Sequence, residues 1–268
     1  MRLIKMILFI LPSMLPGGAA IAQQLRGSVL VCYGRLNPVN ISGYGCLIVE
    51  SQHYTASEIK KFKSSNGKVL AYISLGEVNS GAKHFAALKS ETLGKNKIWD
   101  SYYLDLGSAK TKEVILKLIA DGVAKGFDGF FLDNIDNFSQ WGPQKDQKSK
   151  LVSFLGEIGE KYPKLTFVQN AGLDLISETA PHVDAILVES VATDYNFEFK
   201  KYKLRKEEDF QARAARVKSI ATQYKMPVIL VEYADSKQLK KEVEQRINPL
   251  GFSSFIGNIN LQTVPTFK

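Results

Sequence analysis

Short apolar runs alternating with helical patterns constrain this chain more than any other feature. Eight such runs can be read: Ser28–Gly34, Leu47–Glu50, Val69–Ser74, Gly129–Leu132, Leu165–Asn170, Val183–Glu189, Pro227–Tyr233 and Gly251–Gly257. Each is too short for a helix. Most lack the polar–apolar alternation of a half-exposed strand, so they suit strands buried on both faces. Between them lie helical patterns. Thr55 and Glu58 form a capping box ahead of Ile59 and Phe62. Ile115, Leu118, Ile119, Gly122 and Val123 mark one face of a helix over about 109–125. Similar faces are expected over 147–161, over 207–224 and around Leu239, Val243 and Ile247. Strands alternating with helices predict a parallel sheet. Eight of them favour an α/β fold closed as a single (β/α)8 TIM barrel over an open doubly wound sheet. No GxGxxG or P-loop pattern follows any strand, which removes the usual nucleotide-binding fold signatures.

The first residues have the form of a leader. Arg2 and Lys5 precede an apolar stretch from Met6 to Leu15, and Ala20-Ile21-Ala22 is a small-x-small cleavage site. Residues 1–22 are therefore expected to be a signal peptide and residues 23–268 one catalytic domain, about the size of a single eight-fold barrel. A periplasmic or secreted monomer with no membrane attachment after cleavage is expected. Cys32 falls late in the first strand and Cys46 at the start of the second. In parallel neighbours that offset of several residues, at about 3.3 Å each, exceeds the roughly 7 Å a disulfide spans, so two free thiols are expected. The net charge is +8, but the lysines are scattered over helix faces, with one dense run from Lys200 to Lys206 in an expected loop. That pattern is a solvated surface, and no nucleic-acid partner is expected.

Residues at the strand exits carry the chemistry. Gly126-Phe127-Asp128-Gly129 leads into Phe130-Phe131-Leu132, and the run stops in Asp133, Asn134 and Asp136. Glu50, Glu77, Asn170, Glu189 and Glu232 stand at other exits. In a barrel all of these meet at one rim, where such folds place their active sites. Residues 79–107 are long for a connection, read as a functional insertion, and add Asp105. Tyr33, Tyr72, Trp99, Tyr102, Tyr103, Trp141 and Tyr233 fall at or near the same rim. An acidic mouth with flat rings suits neutral or cationic sugars and repels phosphate. It leaves three chemistries open: glycoside hydrolysis by two carboxylates, metal-assisted hydrolysis, and polysaccharide binding without catalysis.

Tyr72-Ile73-Ser74-Leu75-Gly76-Glu77, Trp99-Asp100, Tyr103-Leu104-Asp105, the Gly126–Asp136 segment, Asn170, Glu189 and Glu232-Tyr233 together resemble glycoside hydrolase family 114. The resemblance implies a (β/α)8 barrel with endo-α-1,4-polygalactosaminidase activity on partly de-N-acetylated galactosamine polymers. An amino-sugar polysaccharide is the partner it implies, and neither cofactor nor metal is expected. By analogy with retaining α-glycosidase barrels, Asp133 and Glu189, at the exits of the fourth and sixth strands, are the expected nucleophile and acid/base. Tyr33, Tyr72, Glu77, Trp99, Asp105, Asn134, Asp136, Asn170, Glu232 and Tyr233 are expected to bind substrate or orient that pair. Glu50 is set aside as structural.

Overall fold

The computed structural model describes Leu25 and residues 27–267. The leader expected over residues 1–22 lies outside them. Strand β1 (Val29–Cys32) is followed by β2 (Cys46–Glu50) and β3 (Lys68–Ser74). After an excursion come β7 (Gly129–Asp133), β8 (Thr166–Asn170) and β9 (Ala185–Glu189), then β12 (Val228–Tyr233) and β13 (Ser253–Gly257). These eight pair in the order β1-β2-β3-β7-β8-β9-β12-β13, parallel throughout. β13 comes round against β1 without a continuous ladder. The seam is held by Ser253 Oγ donating to the Leu25 carbonyl at 2.9 Å and by the Tyr33 N–H donating to the Leu261 carbonyl at 2.7 Å.

Local sequence explains why the helices start and stop where they do. Thr55 and Glu58 form the anticipated capping box at the head of the helix Ala56–Ser65. Ser108 caps the helix Ala109–Lys125, which ends at Gly126 with φ 90°. A left-handed residue there lets the chain reverse into β7, and glycine adopts it without a Cβ penalty. Further up that helix, Gly122 lies over Phe130. A Cβ at Gly122 would come within 2.6 Å of the Phe130 ring, so its absence is what lets the helix sit down on β7. Phe130 therefore faces the helix layer, while Phe131, its neighbour, turns inward toward Tyr72 with ring centroids 6.0 Å apart.

The same parity fixes the inner face of the whole barrel. Paired positions of parallel strands present their side chains on one face. Ser74 pairs with Asp133, Tyr72 with Phe131 and with Glu50, and Val231 with Glu189. Cys46 pairs with Val29, so Cys32 stands opposite Val49 and both buried cysteines are free, as their offset predicts.

Two excursions leave the barrel on the side of the strand exits. The first is a three-stranded antiparallel sheet of β4 (Glu77–Asn79), β5 (Thr92–Asn96) and β6 (Ser101–Leu104). The second is a hairpin of β10 (Thr193–Asn196) and β11 (Lys201–Leu204). Sequence pattern predicts neither as strand: it gives an irregular insertion for the first and a loop for the lysine run. The strands are short, largely polar and half exposed, so they carry no apolar signature of their own.

Candidate active site

Asp133 is the last residue of β7 and Glu189 the last of β9; β8 lies between them and ends in Asn170. Asn170 Nδ2 donates to Asp133 Oδ1 at 2.8 Å and to Glu189 Oε1 at 2.9 Å. Two oxygens that share one nitrogen at those lengths lie no more than about 5.7 Å apart, on the scale of a retaining rather than an inverting glycosidase pair. The second oxygen of each carboxylate holds a tyrosine. Tyr72 donates to Asp133 Oδ2 at 2.7 Å, and Tyr233 donates to Glu189 Oε2. Tyr33 packs against Tyr72 with ring centroids 4.6 Å apart. The structure thus brings Tyr33, Tyr72, Asp133, Asn170, Glu189 and Tyr233 into one cluster, contributed by five strands and the residue just past β1.

The backbone that carries these tips is bent in a repeated way. Asn134 (φ 60°), Ala171 (φ 55°) and Ser190 (φ 56°) follow Asp133, Asn170 and Glu189 directly, and all three adopt the left-handed conformation without being glycine. Each such residue costs on the order of 1 kcal/mol or more and persists only where its surroundings hold it. Here Ser74 Oγ meets Asn134 Oδ1 at 2.6 Å. Gln169 Nε2 donates to the Ala171 carbonyl at 2.8 Å, and Arg205 Nε to the Ser190 carbonyl at 2.8 Å. The three turns stop each strand abruptly and leave its terminal side chain at the mouth.

Electrostatics follow from this crowding. Burial raises the Glu189 carboxyl above the ordinary carboxylate range, and the charges of Asp133 and Asp136 push the same way. The hydrogen bonds from Tyr233 and Asn170 oppose that shift. Tyr33, Tyr72 and Tyr233 are all raised well above an ordinary phenol, first by burial and then by nearby carboxylates, so they stay protonated as donors. Asp136 stands on the rim, its carboxyl raised by the surrounding protein and by Asp133.

Three expected substrate contacts lie elsewhere. Glu232 is 0% exposed. It accepts from the N–H groups of Val191, Ala192 and Thr193 at 2.8, 2.9 and 2.9 Å and from Thr193 Oγ1 at 2.6 Å, which fastens the start of β10 to β12. Parity explains this: Val231 and Tyr233 face inward, so Glu232 faces out. Glu77 is not the exit of a barrel strand, because β3 ends at Ser74. It is 7% exposed, opens the excursion sheet, and accepts from Asn96 at 3.2 Å, from Asn137 at 2.9 Å and from Ser101. Asp105 accepts from Gln147 Nε2 and from the Gly107 N–H, both at 2.7 Å, which pins the end of β6. Asn134 supplies the bend after Asp133 and turns its side chain to Ser74.

Trp99 is half exposed at the tip of the first excursion and meets Phe197, at the tip of the second, edge to face at 5.5 Å. Trp141 is 88% exposed, Tyr102 packs on Phe85, and Tyr103 pairs with Glu77 in the excursion sheet. No sequence pattern singles out Asn137, Thr193 or Phe197. Among the described residues no group of three or more His, Cys, Asp or Glu side chains is arranged to hold a metal ion.

A parallel eight-stranded barrel with a bridged carboxylate pair on its strand exits is an architecture that glycoside hydrolases use. Comparison with known proteins agrees: the model of glycoside-hydrolase family GH114 matches residues 24–267, and the chain belongs to that family. It is similar to the glycoside hydrolase domain of PelA from Pseudomonas aeruginosa (TM-score 0.77, 22% identity, 90% of this chain and 98% of that one). It is also similar to Aspergillus fumigatus Ega3, solved in complex with galactosamine (TM-score 0.71, 16% identity, 89% of this chain and 93% of that one). An uncharacterized protein of Deinococcus radiodurans is 23% identical over 93% of this chain and 84% of its own length. At these identities the likenesses establish the fold.

Proposed function

We propose that the chain is an exported hydrolase that cuts galactosamine-containing polysaccharide at internal α-1,4 linkages through Asp133 and Glu189. The observation that carries the pair is the double hydrogen bond from Asn170, which sets two carboxylates side by side at the exits of β7 and β9. The amino-sugar substrate draws on the family and on the galactosamine-bound Ega3 structure, and suits a mouth lined by acidic groups. Internal cleavage comes from the family resemblance, and export from the leader pattern.

The chemistry follows from the surroundings of each carboxylate. In the first step Asp133 attacks the anomeric carbon while Glu189, its carboxyl pKa raised by burial and by the neighbouring charge, gives its proton to the leaving oxygen. The glycosyl ester that forms removes the negative charge of Asp133. One cause of the raised Glu189 pKa thereby disappears, while the Tyr233 and Asn170 donors remain. Glu189 becomes the better base at the stage where it must take a proton from water. That water attacks the anomeric carbon, releases Asp133 and yields a free sugar end with retained configuration.

The test is direct. Purified protein incubated with a partly de-N-acetylated α-1,4-galactosamine polymer should release new reducing ends. Asp133→Asn and Glu189→Gln should each lower the rate by at least about 10³-fold without lowering the melting temperature. Binding of the polymer with no new ends would leave a non-catalytic polysaccharide-binding barrel. Either variant retaining wild-type turnover would end the assignment of the pair.

A further inference from the structure

Glu50, the last residue of β2, stands beside the catalytic cluster and takes no part in the scheme above. It is the backbone partner of Tyr72, whose hydroxyl bonds Asp133, so its side chain belongs to the same inner face. It precedes a short turn at Ser51–His53, where the Gln52 N–H is the backbone group that its carboxylate meets. Lys125, whose charge acts on Glu50, is occupied elsewhere: its ammonium donates to the Ser51 carbonyl at 2.7 Å and lies 3.4 Å from Ser51 Oγ. Glu50 is a part-buried carboxylate with no cation bonded to it among the described residues, on the inner face of the barrel at the strand exits.

We propose that Glu50 binds the protonated amine of the sugar held over Asp133, and so makes the enzyme select galactosamine over N-acetylgalactosamine at that position. This deepens the hydrolase proposal and rests on it for the identity of the ligand. Strand order supplies the placement. β2 lies on the β3 side of β7, away from β9, so Glu50 sits on the nucleophile's side of the pair, where the sugar that becomes attached to Asp133 must lie. Glu50 is the strand partner of Tyr72 and Asp133 accepts from the Tyr72 hydroxyl, so both carboxylates border that ring. Chemistry supplies the preference. An ammonium gives a carboxylate a charge-assisted hydrogen bond, whereas an acetamide brings no charge and an acetyl group to be accommodated. Burial raises Glu50 to about 7, and the Lys125 charge and the Gln52 N–H only partly oppose it. Tyr33 and Tyr72 face it from the neighbouring strands and stay neutral, so its charge is relieved either by a proton or by an incoming cation.

The experiment measures affinity in a Glu189→Gln background, which prevents turnover. Calorimetric titration at pH 7 compares an α-1,4-galactosamine oligomer with its fully N-acetylated counterpart, with and without Glu50→Gln. The expected result is a loss of about tenfold or more for the amine-bearing oligomer and less than about twofold for the acetylated one. Glu50→Asp, which keeps the charge, should restore part of the selectivity. Equal losses for both oligomers, or no loss for either, would overturn the assignment, as would a parent protein that does not bind the galactosamine oligomer. Should wild-type protein bind the oligomer without cutting it, the hydrolase proposal fails, and the selectivity ratio still decides the role of Glu50.

Discussion

Asn170 is one amide with two carboxylates on the same nitrogen, and the spacing of the pair depends on it. The two tyrosines on the outer oxygens are not equivalent in effect. In the proposed mechanism Tyr72 serves a group that must be ionised to attack, whereas Tyr233 stabilises the charged form of a group that must begin protonated. Removing the Tyr233 hydroxyl should therefore raise the Glu189 pKa further. Activity is lost as pH rises through that pKa, so in Tyr233→Phe the alkaline limb of kcat/KM moves to higher pH. A pH–rate profile of the variant checks this, and an alkaline limb that moved down would contradict the assigned direction.

Strand exits of the barrel are legible in the sequence, because each is an apolar run that stops abruptly in a polar residue. Asp133, Asn170 and Glu189 sit where that signal places them. What a row of exits lacks is parity. Glu232 and Tyr233 are consecutive in a strand, so only one can face the mouth, and pairing of Val231 with Glu189 decides for Tyr233. Glu77 misleads for a different reason: β3 ends at Ser74, and the next residues begin a sheet whose short polar strands have no periodic signature. Glu50 is easily passed over because a carboxylate before a turn is usually a cap, and only the pairing with Tyr72 shows its orientation. The left-handed turns at Asn134, Ala171 and Ser190 leave no mark in residue type beyond asparagine at the first. At the scale of the element, Glu232→Gln should loosen the start of β10, since an amide nitrogen would face an N–H group. The expected loss is about 1–3 kcal/mol of unfolding free energy. That corresponds to a melting temperature lowered by about 2–4 °C per kcal/mol, read by calorimetry, with a much smaller effect on KM than Glu50→Gln has.

The whole molecule carries two opposed fields. The chain is basic, at +8, while the mouth concentrates Glu50, Asp133, Asp136 and Glu189. A cationic polymer is repelled by the first at long range and drawn by the second at short range. At about 0.01 M salt the screening length is roughly 30 Å and the overall charge is felt; at about 0.1 M it is roughly 10 Å and the mouth dominates. The value of kcat/KM on a galactosamine polymer should therefore rise with added salt and then fall as the mouth itself is screened. A series of initial rates across ionic strength checks this, and a monotonic decline from the lowest salt would show that the surface charge plays no part.

The seam between β13 and β1 has a consequence for storage and handling of the protein. A sheet rolled into a cylinder hides its edges only while the roll stays shut, and among the described residues this one is fastened by bonds at Leu25, Tyr33, Ser253 and Leu261. Opening there bares two unpaired strand edges, the kind of template on which chains add to one another. Amide exchange should accordingly be faster in Val29–Cys32 and Ser253–Gly257 than in the central strands Gly129–Asp133 and Thr166–Asn170, and turbidity on warming should appear before the helices melt. Added bonds across that line, more than any repacking of the interior, would lengthen the working life of the protein in solution.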